Sequence, residues 1–191
     1  MNILVTGGAG FIGSHFLRYQ LSHYPTDRVV NLDCLTYAGN LANVADLAST
    51  PRYHFIQGDI RDAATVREVL TTHQIDVVVN FAAESHVDRS IEDPAPFVST
   101  HVVGVQVLLD ACRRARVRLV QVSTDEVYGL IAAGRADEEA PLQPSSPYAA
   151  TKASADLLAM AAHHTFGQDV VITRSANSYG PNQHSEKLVP M

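Results

Sequence analysis

Two short motifs hold the proton-transfer chemistry of this chain: Ser123-Thr124-Asp125-Glu126-Val127-Tyr128-Gly129 and, downstream, Tyr148-Ala149-Ala150-Thr151-Lys152. Tyr148 and Lys152 are four residues apart, so on a helix they share a face. An ammonium beside a phenol lowers the phenol pKa from its usual ~10, which makes a base for an alcohol proton as hydride leaves the same carbon. Thr124 would hydrogen-bond the reacting oxygen. A simple dehydrogenase needs one base, and Asp125 with Glu126 is a surplus. Two adjacent carboxyls in one pocket do not both ionise cheaply, so one becomes an acid and the other stays a base. That is equipment for eliminating water. The competing reading is a turn capped by the pair, with one carboxylate facing solvent.

Redox chemistry needs a carrier, and the opening Thr6-Gly7-Gly8-Ala9-Gly10-Phe11-Ile12-Gly13 supplies a place for one. Gly8, Gly10 and Gly13 fit G-x-G-x-x-G, and Gly7, Gly10 and Gly13 fit G-x-x-G-x-x-G. A strand that ends in such a loop and opens a helix presents backbone N–H groups and the positive helix end to a pyrophosphate, with Phe11 and Ile12 in the first helical turn. Asp33 ends the next apolar run, where a carboxylate accepts hydrogen bonds from the adenosine ribose and repels a 2′-phosphate. The expected cofactor is therefore NAD. Asp59, followed by Ile60, either reaches the adenine or caps the following helix. Ala82 and Ala83 are small where a nicotinamide ribose needs room.

Around these residues the chain alternates two patterns. Continuous Val- and Ile-rich runs at residues 3–6, 29–32, 53–56, 77–81, 119–122 and 170–173 read as strands buried on both faces. Helical spacing appears at 11–22, 64–72, 97–114 and 148–164. The alternation predicts an α/β fold, a doubly wound, mostly parallel sheet with helices on both faces. The stretch 130–147, with three prolines and an acidic cluster, reads as a long irregular connection. With 191 residues, 46% hydrophobic, the chain has material for a sizeable core. Its net charge of -6 argues against nucleic acid or an anionic membrane as partner. Cys34 and Cys112 have no metal-ligand spacing, and the histidines read as surface or helix residues, so no metal is expected. No apolar run approaching a ~20-residue span and no leader signal were found, which predicts a cytoplasmic protein.

Together, residues 6–13, Asn80-Phe81-Ala82-Ala83-Glu84-Ser85-His86-Val87-Asp88-Arg89-Ser90, residues 123–129, 148–152 and 174–181 resemble the extended short-chain dehydrogenase/reductase superfamily, most closely its dTDP-glucose 4,6-dehydratases. Thr124-Asp125-Glu126 is the specific part, since the related 4-epimerases lack the acid pair. The resemblance implies an internal redox cycle on a nucleotide hexose. Tyr148 takes the C4 hydroxyl proton while hydride passes to NAD, Glu126 removes the C5 proton, Asp125 protonates the departing C6 hydroxyl, and hydride returns to C6. It further implies that Glu84 and Ser85 contact the hexose, that Asn177, Glu186, Lys187 and Leu188 lie on the diphosphate side, and that two helices pair into a homodimer.

Three positions depart from the family pattern: His101 stands where Asn is usual, Asn177-Ser178 replaces a pair of Asn, and Cys34 replaces the Lys after the ribose-binding Asp. The expected organisation is an NAD-binding domain over 1–176 and, over 177–191, the start of a substrate-binding region that continues further in relatives. The alternatives are a 4-epimerase or decarboxylase on the same scaffold, and a non-catalytic NAD-binding module.

Overall fold

In a computed structural model, which describes residues 1–184, strands and helices alternate as the apolar runs predict. The strands are β1 (Asn2–Thr6), β2 (Arg28–Asp33), β3 (Tyr53–Gln57), β4 (Val77–Asn80), β5 (Arg118–Thr124) and β6 (Val170–Ser175). They form one fully parallel sheet in the order β3-β2-β1-β4-β5-β6. Helices α1 (Phe11–His23), α2 (Ala63–Thr72), α3 (Val87–Glu92), α4 (Ala95–Phe97), α5 (Val105–Ala115) and α6 (Pro147–Phe166) cover it.

The pleat splits each strand between two cores. Leu4, Val30, Val78 and Leu119 meet Val66, Leu108, Leu109, Ala155 and Ala159 on one face, while Ile3, Val5 and Val29 meet Leu17 and Leu21 on the other. Both faces are apolar, which is why the runs are continuous rather than alternating. Strand order reverses between β1 and β4, and the crevice beyond their carboxyl ends is where such sheets bind ligands. A buried polar chain ties the strand ends there. Thr6 Oγ1 donates to Asn80 Oδ1 at 2.5 Å, and Asn80 Nδ2 donates to Gln121 Oε1 at 2.7 Å.

One expected helix is less regular than its spacing suggests. Between α4 and α5, residues Val98–Gly104 form a π-helical segment, so residues 95–115 run on without a break. The wide turn buries His101 and seats Gly104 against Ile60, where a Cβ would come within 2.7 Å of Ile60 Cδ1. By length and composition this stretch, Ala95–Ala115, is apolar enough to cross a bilayer, which amends the expectation that no run comes near a span. Here it packs against α2 and α6. Residues 130–146 have no helix or strand, as expected. The helix that follows starts one residue earlier than its apolar spacing suggests, at Pro147, with Ser146 Oγ accepting the Ala149 N–H at 3.1 Å. Proline at the first position and Gly167 in the left-handed conformation at the end delimit it.

Candidate active site

The loop after β1 is shaped by backbone contact. Gly7 has φ +71, and a Cβ on it would lie 2.6 Å from the Ala82 nitrogen, so the ends of β1 and β4 touch only because the side chain is absent. At Gly13 a Cβ would collide with the Gly7 carbonyl. The loop thus folds onto the start of α1, whose first turn has no side-chain cap. The N–H groups of Gly7, Gly8, Ala9 and Gly10 are bonded within the protein, which leaves those of the first turn of α1 and its positive end for the crevice, with Phe11 partly buried and Ile12 exposed.

Asp33 stands at the end of β2 beside this loop and is 7% exposed. Its Oδ2 accepts the Ala9 N–H at 2.9 Å and its Oδ1 the Leu35 N–H at 2.8 Å. Leu35 sits at φ +56, a left-handed geometry that the second bond supports. Burial pushes the carboxyl pKa up, and the two N–H bonds oppose it. Each oxygen keeps a further lone pair for a ribose hydroxyl. A cradle closed to Cβ atoms, an uncapped helix start and a buried carboxylate are what a dinucleotide requires, so these residues fit NAD.

Asp59 is neither free nor a helix cap. Arg61 binds it through its backbone N–H and its guanidinium, and Asp62 caps α2 instead, accepting from Ala64 and Thr65. The Ile60 side chain is buried in the core, leaving its backbone for any cofactor contact. Ala82 and Ala83 lie partly buried at the crevice mouth.

The two motifs expected to carry proton transfer come together around Tyr148. The Thr124 Oγ1 accepts the Glu126 N–H at 3.2 Å and donates to Asp125 Oδ1 at 3.3 Å, which fixes the tight turn Asp125–Tyr128. Burial pushes the Tyr148 phenol up to about 12, with the Glu126 charge adding to it, the Thr124 hydrogen bond opposing it, and Asp125 and Tyr37 adding smaller amounts. Glu126 is half-buried, but Asp125 is exposed rather than enclosed beside it. Lys152 is 4% exposed, and its Nζ donates to the Val122 carbonyl at 2.6 Å. Burial drives its pKa down to about 8, while the Asp156 charge opposes the fall.

The expectation of a lowered phenol pKa is therefore corrected for the cofactor-free chain. Burial, then the Glu126 charge and to a smaller extent the Asp125 charge, disfavour the phenolate, while the Lys152 ammonium is bonded to the Val122 carbonyl.

His101 joins the two halves of the site. Its Nε2 accepts the Glu84 N–H at 3.0 Å, so the ring proton is on Nδ1 and donates to Thr151 Oγ1 at 2.8 Å. The Thr151 hydroxyl then donates to the Tyr148 carbonyl at 2.8 Å. Burial, and secondarily the Lys152 charge, take the His101 pKa down to about 3, so the ring is neutral. A further tie comes from Ser90, whose Oγ accepts the Tyr148 N–H at 3.0 Å.

Near the expected hexose loop, the Ser85 hydroxyl lies 3.5 Å from the Tyr37 hydroxyl, and the Arg89 guanidinium stacks 4.1 Å from the Tyr37 ring centre. Tyr37 is a neighbour of this loop that sequence spacing does not find, because a loop far upstream delivers it. Asn177 is exposed. Glu186, Lys187 and Leu188 lie outside the described residues. Among the described residues no group of three His, Cys, Asp or Glu side chains could hold a metal ion.

The family model described as GDP-mannose 4,6 dehydratase matches residues 4–190. A dTDP-glucose 4,6-dehydratase from Streptomyces niveus is 54% identical over 100% of this chain and 58% of its own length. The crystal structure of DesIV, a dTDP-glucose 4,6-dehydratase from Streptomyces venezuelae solved with NAD bound, superposes with a TM-score of 0.96 at 55% identity, over 100% of this chain and 60% of that one. A UDP-glucuronic acid 4-epimerase from Bacillus cereus superposes at 0.92 with 33% identity, over 100% and 61%. The chain thus spans about 58% of the length of that first relative. By the extent of these matches, and by a fold that agrees with them, the chain belongs to the GDP-mannose 4,6 dehydratase family, within the extended short-chain dehydrogenase/reductases.

Proposed function

We propose that this chain carries the NAD site and the acid–base residues of a nucleotide-hexose 4,6-dehydratase, with dTDP-glucose as substrate and the 4-keto-6-deoxy sugar as product. The observation that carries the reading is a juxtaposition: the turn bearing Asp125 and Glu126, fixed by Thr124 at the end of β5, packs against the helix that carries Tyr148 and, one turn on, Lys152. An epimerase has no use for that acid pair.

Gly7, Gly10, Gly13 and the first turn of α1 hold the pyrophosphate, and Asp33 the adenosine ribose. Asp59 and Ile60 border the adenine, and Ala82 and Ala83 leave room for the nicotinamide ribose. Bound NAD supplies a hydride acceptor, later a hydride donor, and a positive ring. Tyr148 accepts the sugar C4 hydroxyl proton, with the Lys152 charge stabilising the phenolate and Thr124 holding the oxygen. Glu126, half-buried, takes the C5 proton made acidic by the C4 ketone. Asp125, at the exposed side of the turn, delivers a proton to the C6 hydroxyl, which leaves as water. Glu84 and Ser85 hold the hexose, Asn177, Glu186, Lys187 and Leu188 serve the diphosphate side, and 177–191 begin a substrate-binding region.

The same reading makes the protein a homodimer in the cytoplasm, where NAD and nucleotide sugars are at hand. Val98 and Val103, with Leu157 and Met160 on α6, are exposed apolar side chains on the two helical stretches expected to pair. Incubating the chain with NAD and dTDP-glucose and weighing the sugar nucleotide tests the function. Loss of one water supports it, an unchanged mass with inverted C4 stereochemistry indicates the epimerase, and NAD binding with no turnover indicates a binding module.

A further inference from the structure

Behind the catalytic helix lies a buried ion pair that the chemistry above does not use. Asp156 is wholly buried, four residues after Lys152, and therefore on the same helix face as Lys152 and Tyr148. The Arg174 Nε, at the end of β6, donates to Asp156 Oδ2 at 2.8 Å, and the Arg174 side chain is 12% exposed. Arg174 Nη1 also donates to the Tyr128 hydroxyl at 2.8 Å, and Tyr128 ends the turn that begins with Asp125 and Glu126. The remaining carboxylate oxygen, Asp156 Oδ1, is buried with no hydrogen-bond partner among the described residues. Taking a carboxylate and a guanidinium out of water carries a large desolvation cost, and an apolar pair of similar size is often as stable. The ion pair therefore calls for a role beyond packing.

We propose that Asp156 and Arg174 are a positioning pair for the catalytic centre. Asp156 provides the buried negative charge that keeps Lys152 protonated in its dry site, and Arg174 fixes both Asp156 and the Tyr128 end of the acid-bearing turn. Asp156 is the charge that opposes desolvation at Lys152. Of the other groups near Lys152, His101 from the π-helical segment is neutral, Tyr148 on the same helix is a protonated phenol, and the Val122 carbonyl of β5 accepts from the ammonium. Asp125 and Glu126 act on Tyr148. One arginine thus holds the base of the redox pair and the hinge of the dehydrating pair in register.

The catalytic consequence rests on the function proposed above, but the test does not. The chain has two lysines, Lys152 and Lys187, so a carbon-13 label at the lysine ε position gives two signals, and Lys187→Arg assigns them. Titration by NMR without cofactor or substrate reads the Lys152 midpoint directly. Asp156→Asn lowers that midpoint by about one to three pH units, a ~10- to 1000-fold loss in the protonation equilibrium, because a buried opposite charge one helical turn away has gone and a cation remains. Mere loosening would admit water and raise the midpoint toward its ordinary ~10.4, so the sign separates the two roles. If Asp156→Asn proves too unstable to titrate, the double change Asp156→Asn with Arg174→Gln removes both charges and lowers the midpoint less. An unchanged or raised midpoint in the variant titrated overturns the proposal, whether or not the chain dehydrates a sugar.

Discussion

Acid should unfold this protein earlier than its carboxylates alone would allow, and His101 is the reason. Its ordinary pKa of 6.5 falls to about 3 in the fold, because the ring is buried and the nearby Lys152 charge disfavours a second cation. A group whose folded pKa is depressed contributes its full stability above the unfolded pKa and loses it as pH falls toward the folded one. Between pH 6.5 and 3 the unfolded chain takes up a proton that the folded chain refuses. Each pH unit in that window costs up to about 1.4 kcal/mol, so the loss is about 2 kcal/mol near pH 5 and about 5 kcal/mol near pH 3. Against a total of about 5–15 kcal/mol for a typical domain, that is a large share. The lowered pKa of His73 adds in the same direction, whereas the lowered carboxyls of Asp27 and Asp46 matter only below about pH 4. Urea unfolding followed by circular dichroism at about pH 7, 6 and 5 measures the slope. His101→Asn keeps an acceptor for Glu84 and a donor for Thr151 but cannot titrate, so it should flatten the slope by about 2 kcal/mol over that window. Equal slopes in the two proteins would refute the buried neutral imidazole.

Asp33→Ala removes the ribose acceptor and the two loop bonds together, so NAD affinity should fall by on the order of 10- to 100-fold in calorimetric titration while NADP affinity falls less. Equal affinities of the unmodified chain for the two cofactors would remove Asp33 from the ribose. Leu119 is fully buried in β5 beneath α5 and α6, and Leu119→Ala should cost about 2–5 kcal/mol by chemical denaturation; a loss below about 1 kcal/mol would mean that the core collapses around the gap. Light scattering should report a dimer, and Leu157→Asp should convert it to a monomer, whereas a monomeric parent would remove the pairing of the two helical stretches.

Much of this was legible in residue types because the chemistry is local. Continuous Val and Ile runs mark strands buried on both sides, and the glycines before α1 mark a backbone that must pass close to β4. Ser146-Pro147 carries the cap and first residue of α6, a signal the apolar spacing alone misses by one position. The Tyr148–Lys152 spacing placed two groups on one face and, read one turn further, reaches Asp156. What the sequence could not show depends on partners distant in the chain. The π-helical turn at Val98–Gly104 arises where His101 reaches Thr151 and Glu84. The Asp59 carboxylate goes to Arg61, and Tyr37 comes from another loop to meet Ser85 and Arg89. The raised phenol pKa of Tyr148 follows from burial, which spacing does not reveal.

The central claim is that Tyr148 serves oxidation and the acid pair serves loss of water. Rapid mixing of the chain with NAD and dTDP-glucose, read at the NADH absorbance band and beside the product mass, follows both steps in one experiment. Tyr148→Phe should abolish the NADH signal, while Glu126→Gln should still form NADH and lose water ~10²–10⁴-fold more slowly. Water loss by Glu126→Gln at the unmodified rate would contradict the account.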